Sequence, residues 1–328
     1  MTKQLSSRAI TRTFALVTLG AVLAPGTAHA TGVTAGTLIQ NTASATYTSG
    51  ASGGTVTSNT VSIKVDELLN VAVAGLTTTP ATAGQTSAVL EYSITNTGNG
   101  PEAFNVTVNP AVAGNAFDAT VQTVVVDSNG NGTYEPGVDQ ILATGAATPV
   151  IAADGSLKIF VIVGLPAGAG DGQTSQVRLT ADAATGTGTA GTVFAAQGDG
   201  GGDAVVGTST ASGNANDTLV ASLATVALTK SALVADPFGG TQPVPGAVVT
   251  YTLTAAVSGT GQASGLHVTD AIPVGTTYQP GTLTLDAAAL TDVTDTDAGQ
   301  ASSSGIDVDL GTVTGGTSKT VKFNVKIN

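Results

Sequence analysis

One stretch of this sequence has the residue types and spacing of a calcium-binding loop. Oxygen-bearing side chains alternate along it, and Gly132 stands at the relative position where such loops turn sharply. The candidate ligands are Asp127, Asn129, Asn131, Thr133 through its backbone carbonyl, Glu135 and Asp139. Strand-like runs flank the stretch, so we expect Ca²⁺ in a loop between strands and not an EF-hand. The alternative is an Asn-Gly hairpin turn that binds nothing.

Other polar residues predict little further chemistry. Asp292, Asp295 and Asp297 are close in sequence, which is more typical of a solvated charge cluster than of a metal site. His267 is the one histidine outside the leader described below, so a Ser-His-Asp relay would depend on it alone. There is no Trp to stack on a sugar ring. We therefore expect no enzymatic activity and no catalytic residues.

The N-terminus has the three parts of a secretory signal peptide. Lys3, Arg8 and Arg12 precede an apolar run at 14–23, and Ala28-His29-Ala30 forms a cleavage site. This pattern predicts that residues 1–30 are removed and that the protein is secreted, to the extracellular space or the cell surface. No membrane span is then expected to remain. The alternative is an uncleaved anchor, but the run is shorter than the roughly 18 to 20 residues that cross a bilayer.

Charge and cysteine content narrow the choice of partners. The formal net charge is −12, and the predicted leader contains basic residues but no acidic ones. Nucleic acid and anionic membrane surfaces, which need clustered basic residues, are therefore not expected as partners. Because the chain has no cysteine, disulfides cannot stabilise it outside the cell, and burial and metal binding are the remaining sources of stability.

The pattern of residues predicts an all-β fold. Short alternating runs of Val, Thr, Ile and Tyr are separated by Gly, Pro, Asn and Asp, as in strands and turns. We divide the chain after the leader into an opening strand pair at 31–68 and two β-sandwiches at 69–222 and 223–328. The Gly-rich stretch at 184–213 contains apolar pairs, which favours an ordered excursion over a flexible linker.

The last part resembles a known family. The segments 243–283 (PVPGAVVTYTLTAAVSGTGQASGLHVTDAIPVGTTYQPGTL) and 310–328 (LGTVTGGTSKTVKFNVKIN) are similar to the bacterial Ig-like conserved-repeat domain, the domain-of-unknown-function-eleven type of secreted surface proteins. The resemblance implies an immunoglobulin-like sandwich at 223–328, with 69–222 a divergent relative. The whole chain then reads as two immunoglobulin-like β-sandwich domains preceded by a donor β-strand pair.

In that family the closing strands read NTA-x-x-x-Y and SNTV-x-x-x-V. In this chain the corresponding sequence motifs lie near the N-terminal end, at 41–47 and 58–65. The resemblance therefore implies that the opening pair supplies the closing strands of a sandwich. The expected donor residues are Ile39, Ala43, Ala45, Tyr47, Val61, Ile63 and Val65. The expected acceptor groove consists of Tyr251, Leu253, Phe323, Val325 and Ile327.

These features predict a structural subunit that polymerises with itself. Strand addition to a sheet edge is an established mode of recognition, and head-to-tail donation makes a filament or a surface lattice. Only residues 66–70 link the donor pair to the next strand, a reach of about 17 Å, which favours a neighbouring copy as acceptor. The alternative is a monomeric cell-surface adhesin, with the pair folded back on its own chain and an unidentified surface ligand. A third possibility is that the pair extends the sheet of the following sandwich.

Overall fold

A computed structural model describes residues 32–49, 51–78, 81–84, 87–143 and 145–328 of the chain. The predicted signal peptide lies outside these residues. The described part consists of antiparallel sheets with a few short parallel pairings, so the all-β class predicted from the sequence is confirmed. None of its helices is long and apolar enough to cross a bilayer.

The described chain begins with a long two-stranded hairpin, which we call the arm (residues 38–64). Its strands are β1 (Leu38–Asn41), β2 (Ser44–Ser49), β3 (Ser52–Thr57) and β4 (Val61–Lys64). β1 pairs with β4 and β2 with β3, so the four strands form one continuous ribbon. Nearly every residue of the ribbon is exposed. A two-stranded ribbon with both faces in water is marginally stable by itself.

A first sandwich follows the arm; we call residues 67–221 the middle sandwich. Its strands are β5 (Glu67–Leu69), β6 (Val71–Gly75), β7 (Ala81–Ala83), β8 (Ala88–Asn96), β9 (Phe104–Asn109), β10 (Thr120–Val126), β11 (Gln140–Leu142), β12 (Ser156–Gly164), β13 (Thr174–Ala183), β14 (Val193–Phe194), β15 (Ala204–Val206) and β16 (Ser212–Ala221).

One sheet of the middle sandwich has the order β11-β10-β12-β8-β6 and the other β7-β16-β13-β9. This is the strand order of an immunoglobulin-type sandwich, in which β13 and β16 are the closing pair. Alternate residues of β8 and β13 point into the core, which includes Tyr92, Phe104 and Leu179. The Gly-rich stretch is ordered: β14 and β15 form a small sheet with β5, beside a 3-10 turn at Asp199–Gly201.

Residues 224–328 form a separate core, which we call the C-terminal sandwich. Its strands are β17 (Ala224–Ala235), β18 (Val248–Gly259), β19 (Gln262–Ala271), β20 (Thr276–Tyr278), β21 (Thr284–Leu285), β22 (Ala288–Ala289), β23 (Gly299–Ala301), β24 (Gly305–Thr314) and β25 (Thr317–Ile327). The larger sheet runs β17-β18-β25-β21-β22, with β20 also on β25, and the smaller runs β19-β24-β23. Phe323, Val325 and Leu283 are fully buried between them.

Candidate functional site: an exposed arm and an open groove

The base of the arm repeats the backbone geometry that closes the middle sandwich. Gly36 donates its N–H to the carbonyl of Val65 at 2.9 Å, and Val65 donates back to Thr37 at 2.9 Å. At the start of β13, Gly172 donates to Ala221 at 2.8 Å, and Ala221 donates back to Gln173 at 2.8 Å. Gly36 and Gly172 share the left-handed backbone, with φ of 78° and 75°. The arm therefore enters and leaves its base as the β13–β16 pair does.

The loop after β8 holds the base of the arm through hydrogen bonds of Asn99. Asn99, in the loop after β8, accepts from Ala35 N through its carbonyl at 3.1 Å and donates through Nδ2 to the carbonyls of Val33 at 3.0 Å and Asp66 at 3.1 Å. Its Oδ1 accepts from the N–H of Leu68 at 2.6 Å. One loop side chain thus holds both ends of the arm against the middle sandwich.

The junction between the two sandwiches also uses the loop after a long second strand, but with different hydrogen bonds. Thr260, in the loop after β18, donates its N–H and its hydroxyl to the carboxylate of Asp171 at 3.0 and 2.7 Å. Asp171 also accepts from Leu223 N at 2.8 Å. These hydrogen bonds, that of the Thr260 hydroxyl first, lower the pKa of Asp171. Both junctions therefore use the loop that follows a long second strand, after β8 for the arm and after β18 for the β13–β16 pair.

One face of the arm is apolar and open to solvent. Ile39 lies opposite Ile63 on this face, and Ala45 lies opposite Val56. Tyr47 covers Gly54, where an added Cβ would meet its hydroxyl at 2.9 Å. The predicted donor residues Ile39, Ala43, Ala45, Tyr47, Val61 and Ile63 are all exposed, and Val65 is half-buried at the base.

Val56 belongs to the same face but was not predicted from the sequence. The pairing changes register between the outer and inner halves of the arm, because one more residue separates Thr57 from Val61 than separates Asn41 from Ser44. This bulge reverses the alternation along the second strand, so counting by twos from Val61 misses Val56. Val56 is 54% exposed.

The C-terminal sandwich is open on the side that β13 and β16 close in the middle sandwich. Within the described chain, β17 pairs only with β18 and β19 only with β24, so each leaves an edge free. We call the space between these two edges the groove. Val226 and Leu228 lie on the inward face of β17, since they pair with the buried Val257 and Ala255 of β18. They are nevertheless 40% and 53% exposed. An apolar edge of this kind is a template for a further strand.

An ion pair spans the groove. Lys230 of β17 lies 2.6 Å from the carboxylate of Asp270 in β19, measured from Nζ to Oδ2. The same ammonium stands 4.3 Å from the centre of the Tyr251 ring, a cation–π contact. The Tyr251 ring packs in turn on Phe323, with centroids 5.4 Å apart.

The predicted acceptor residues lie on the inward face of the larger sheet, on β18 and β25. Leu253, Phe323 and Val325 are buried in the core, whereas Tyr251 and Ile327 are partly buried. The exposed lining on β17 was not predicted. β17 is an edge strand with residues exposed on both faces, so its alternation alone does not reveal which face belongs to the groove.

The six residues of the predicted calcium loop come together between β10 and β11. Both oxygens of Asp127 accept backbone N–H groups, from Gly130 and Gly132, at 2.8 Å. The side-chain amides of Asn129 and Asn131 donate to one oxygen of Glu135 at 2.7 Å each. Asp139 accepts from Ser128 N at 3.2 Å and Glu135 N at 2.8 Å, and Thr133 donates its N–H to Asn131 at 2.8 Å.

These contacts decide how the loop could hold a metal. Among the described residues, no group of three His, Cys, Asp or Glu side chains is placed to bind an ion. A calcium ion here would rely on amide and backbone oxygens as well as on Asp127 and Asp139, and Asn129 and Asn131 would have to turn their oxygens inward. Calcium binding therefore stays a prediction.

The acidic cluster at 292–297 and His267 both contact neighbouring residues of the protein. Asp292 accepts from the Tyr278 hydroxyl and from Gly281 N, at 2.7 Å each, and Asp297 accepts from Thr291 N at 2.7 Å. His267 is exposed, with Nδ1 at 3.3 Å from Asp307 and Nε2 at 3.6 Å from Asp309. The acidic side chains thus fix the turns of their own loop.

Comparison with known proteins adds little. No protein-family model matches the chain, and no curated protein matches it. Among solved structures, it is similar to one described as "Putative membrane anchored protein from Corynebacterium diphtheriae", with a TM-score of 0.21 and 10% sequence identity. The match covers 81% of this chain and spans about half, 53%, of that one. The resemblance to the Ig-like repeat family therefore stays a prediction.

Proposed function

We propose that this protein is the structural subunit of an extracellular filament or surface lattice. The arm of one copy fills the groove of the next and completes its C-terminal sandwich. The observation that carries the proposal is the repeated backbone geometry at the arm base: Gly36, Val65 and Thr37 make the same hydrogen bonds as Gly172, Ala221 and Gln173 at the base of the β13–β16 pair. The arm is therefore the closing strand pair of a sandwich whose other strands lie elsewhere.

A neighbouring copy is a better acceptor than the same chain. Asn99, at the arm base, follows the end of β8, whereas Ser222, at the other junction, donates to Ala83 N-terminal to β8. A strand rises about 3.3 Å per residue, so the nine residues of β8 separate the two junctions by about 30 Å. The arm thus starts at the end of the middle sandwich that lies away from its own groove.

Burial supplies the driving force. The apolar face of the arm and the β17 side of the groove, with Val226 and Leu228, are both exposed in a single copy. Each large apolar side chain contributes roughly 1.5–3 kcal/mol on full burial, which gives a gross gain on the order of 10 kcal/mol before ordering costs. New backbone hydrogen bonds along the edge of β19 would add to this.

The rival function is a monomeric surface adhesin whose loops bind a ligand. Deletion of residues 31–65 separates the two proposals. In sedimentation velocity, a filament subunit loses its polymers on deletion, whereas an adhesin is monodisperse with or without the segment. Ordered polymers that persist in the deleted chain would contradict the role of the arm.

Point variants make a sharper test because the relevant side chains are exposed in the single copy. Ile63→Asp alters the apolar face of the arm, and Ser62→Asp alters the opposite face of the same strand. Leu228→Asp alters the groove, and Leu233→Asp alters the other face of β17. We expect the first variant of each pair to stay monomeric and the second to polymerise, with equal thermal stability of the monomers. Equal polymerisation of all four would refute the proposal.

A further inference from the structure

The two sandwiches carry equivalent tyrosines on their second strand. Ala88-Val89-Leu90-Glu91-Tyr92 in β8 corresponds to Ala247-Val248-Val249-Thr250-Tyr251 leading into β18. Each tyrosine pairs with the neighbouring central strand, Tyr92 with Ile159 and Tyr251 with Phe323. Tyr92 is fully buried, and its hydroxyl donates to the carbonyl of Val177 in β13 at 2.7 Å. Tyr92 thus ties the closing strand to the core.

The repeated hydrogen bonds fix which arm residue would meet Tyr251. Thr37 corresponds to Gln173, and Val65 to Ala221. Counting along β1 from Thr37, Asn41 takes the place of Val177 in β13. Its partner Val61 takes the place of Asp217, which lies opposite Val177.

We propose that Tyr251 donates its hydroxyl hydrogen to the backbone carbonyl of Asn41 in the next copy, and that this bond sets the register of assembly. The inference rests on the proposed function. Val106-Thr107 in β9 corresponds to Val268-Thr269 in β19, and Val106 lies opposite Ala181 of β13. In the assembled chain Ala45, the counterpart of Ala181, therefore lies opposite Val268, and Ser44 lies opposite Thr269.

The same register satisfies two other features of the groove. It places Ala43 beside Asp270, so that a small side chain faces the Lys230–Asp270 ion pair. It also brings the turn end of the arm, near Ser52, beside Gln262 and Ser264. These two residues line a cleft of about 870 Å³ between the sandwiches, which has room for a turn.

Engineered cysteines test the register directly, since the chain has none of its own. Ser44 and Thr269 are both exposed in the single copy. Directly opposite residues bring their Cα atoms to about 5.5 Å or less, within reach of a disulfide, whereas a two-residue slip moves them to roughly 7–8 Å. The full chain with S44C and T269C should form a ladder of disulfide-linked oligomers on mild oxidation, and the T46C and T269C chain should not.

The outcomes separate the register from the proposed function. A ladder from the slipped pair alone, with polymers intact, would overturn the register and leave strand donation standing. Absence of polymers from the cysteine-free chain would overturn both.

Tyr251→Phe tests the hydroxyl itself, since it keeps the ring and removes one hydrogen bond. We expect polymers to dissociate about tenfold faster and slipped cross-links to increase. An unchanged dissociation rate and cross-linking pattern would overturn the role of Tyr251.

Discussion

Gly36 donates its backbone N–H to the carbonyl of Val65 at 2.9 Å, the same bond that Gly172 makes to Ala221 at 2.8 Å. Both glycines have positive φ, which other residues adopt at a cost. An added Cβ on Gly36 would also lie 3.0 Å from the Cα of Gly200. The first residue of the arm base thus needs glycine for conformation and for space.

Gly36→Ala should therefore loosen the arm. The left-handed backbone costs an alanine about 1–2 kcal/mol, and the close approach to Gly200 adds to this. We expect faster hydrogen exchange at Gly36 and Val65 and faster proteolysis of residues 32–65. Gly114→Ala is the control, since its φ is 94° and nothing lies within 4 Å of its added Cβ. Equal protection of the arm in both variants would contradict a tight arm base.

Glu67 predicts a pH dependence of stability. Burial, with the nearby carboxylates of Glu102 and Asp199 as smaller contributions, raises the pKa of Glu67 above its ordinary value, although Asp199 N donates to Oε2 at 2.7 Å. Within the described chain its Oε1 has no hydrogen-bond partner. A raised folded-state pKa means that the folded chain holds the proton more tightly, so this contribution is present at low pH and is lost as the pH rises through the folded pKa.

Glu67→Gln imitates the protonated form and should raise the thermal midpoint at pH 7 to 8, with little effect near pH 4. Glu102→Gln is the matched control. Both oxygens of Glu102 accept hydrogen bonds from Thr185, at 3.0 and 2.8 Å, so we expect no gain. A Glu67→Gln chain less stable than the natural one at neutral pH would contradict the pKa direction.

Asp171 should control how firmly the two sandwiches are joined. Asp171→Ala removes the acceptor for Leu223 N and for both donors of Thr260. We expect faster hydrogen exchange at Leu223 and Thr260 and a broader distance distribution in small-angle scattering. Asp236→Ala is the control, since Asp236 accepts three backbone N–H groups within its own loop.

The natural chain should behave similarly in acid. The pKa of Asp171 is lowered, so the stabilisation is present above the unfolded-state pKa and is lost as the pH falls through the folded value. Exchange at Leu223 that does not respond to acid or to the substitution would count against this junction.

The calcium loop gives a prediction that needs no polymer. About 1 mM Ca²⁺, the range of extracellular calcium modules, should raise the thermal midpoint of the chain, and calorimetry should detect binding. Asp127→Asn should abolish both effects, whereas Asp118→Asn, at an exposed position outside the loop, should not. No heat and no shift in the natural chain would mean that hydrogen bonds alone hold the loop.

Much of this architecture follows from the sequence, and the rest depends on backbone contacts. Alternation with a period of two predicts the strands and the apolar face of the arm, because Ile39, Tyr47 and Ile63 fall on one side. Val56 was missed because a bulge reverses the alternation. The equivalence of Gly36 and Gly172 has almost no sequence signature, since backbone bonds to Val65 and Ala221 define it.

A density map of the assembled polymer, from cryo-electron microscopy of the chain without residues 1–30, tests strand donation most directly. We predict that β1 and β2 of one copy pair antiparallel with β19 of the neighbour, and that the apolar face of the arm is buried against its core. A map in which the C-terminal sandwich is closed by strands of its own chain, or in which the arms do not contact β19, would contradict the account.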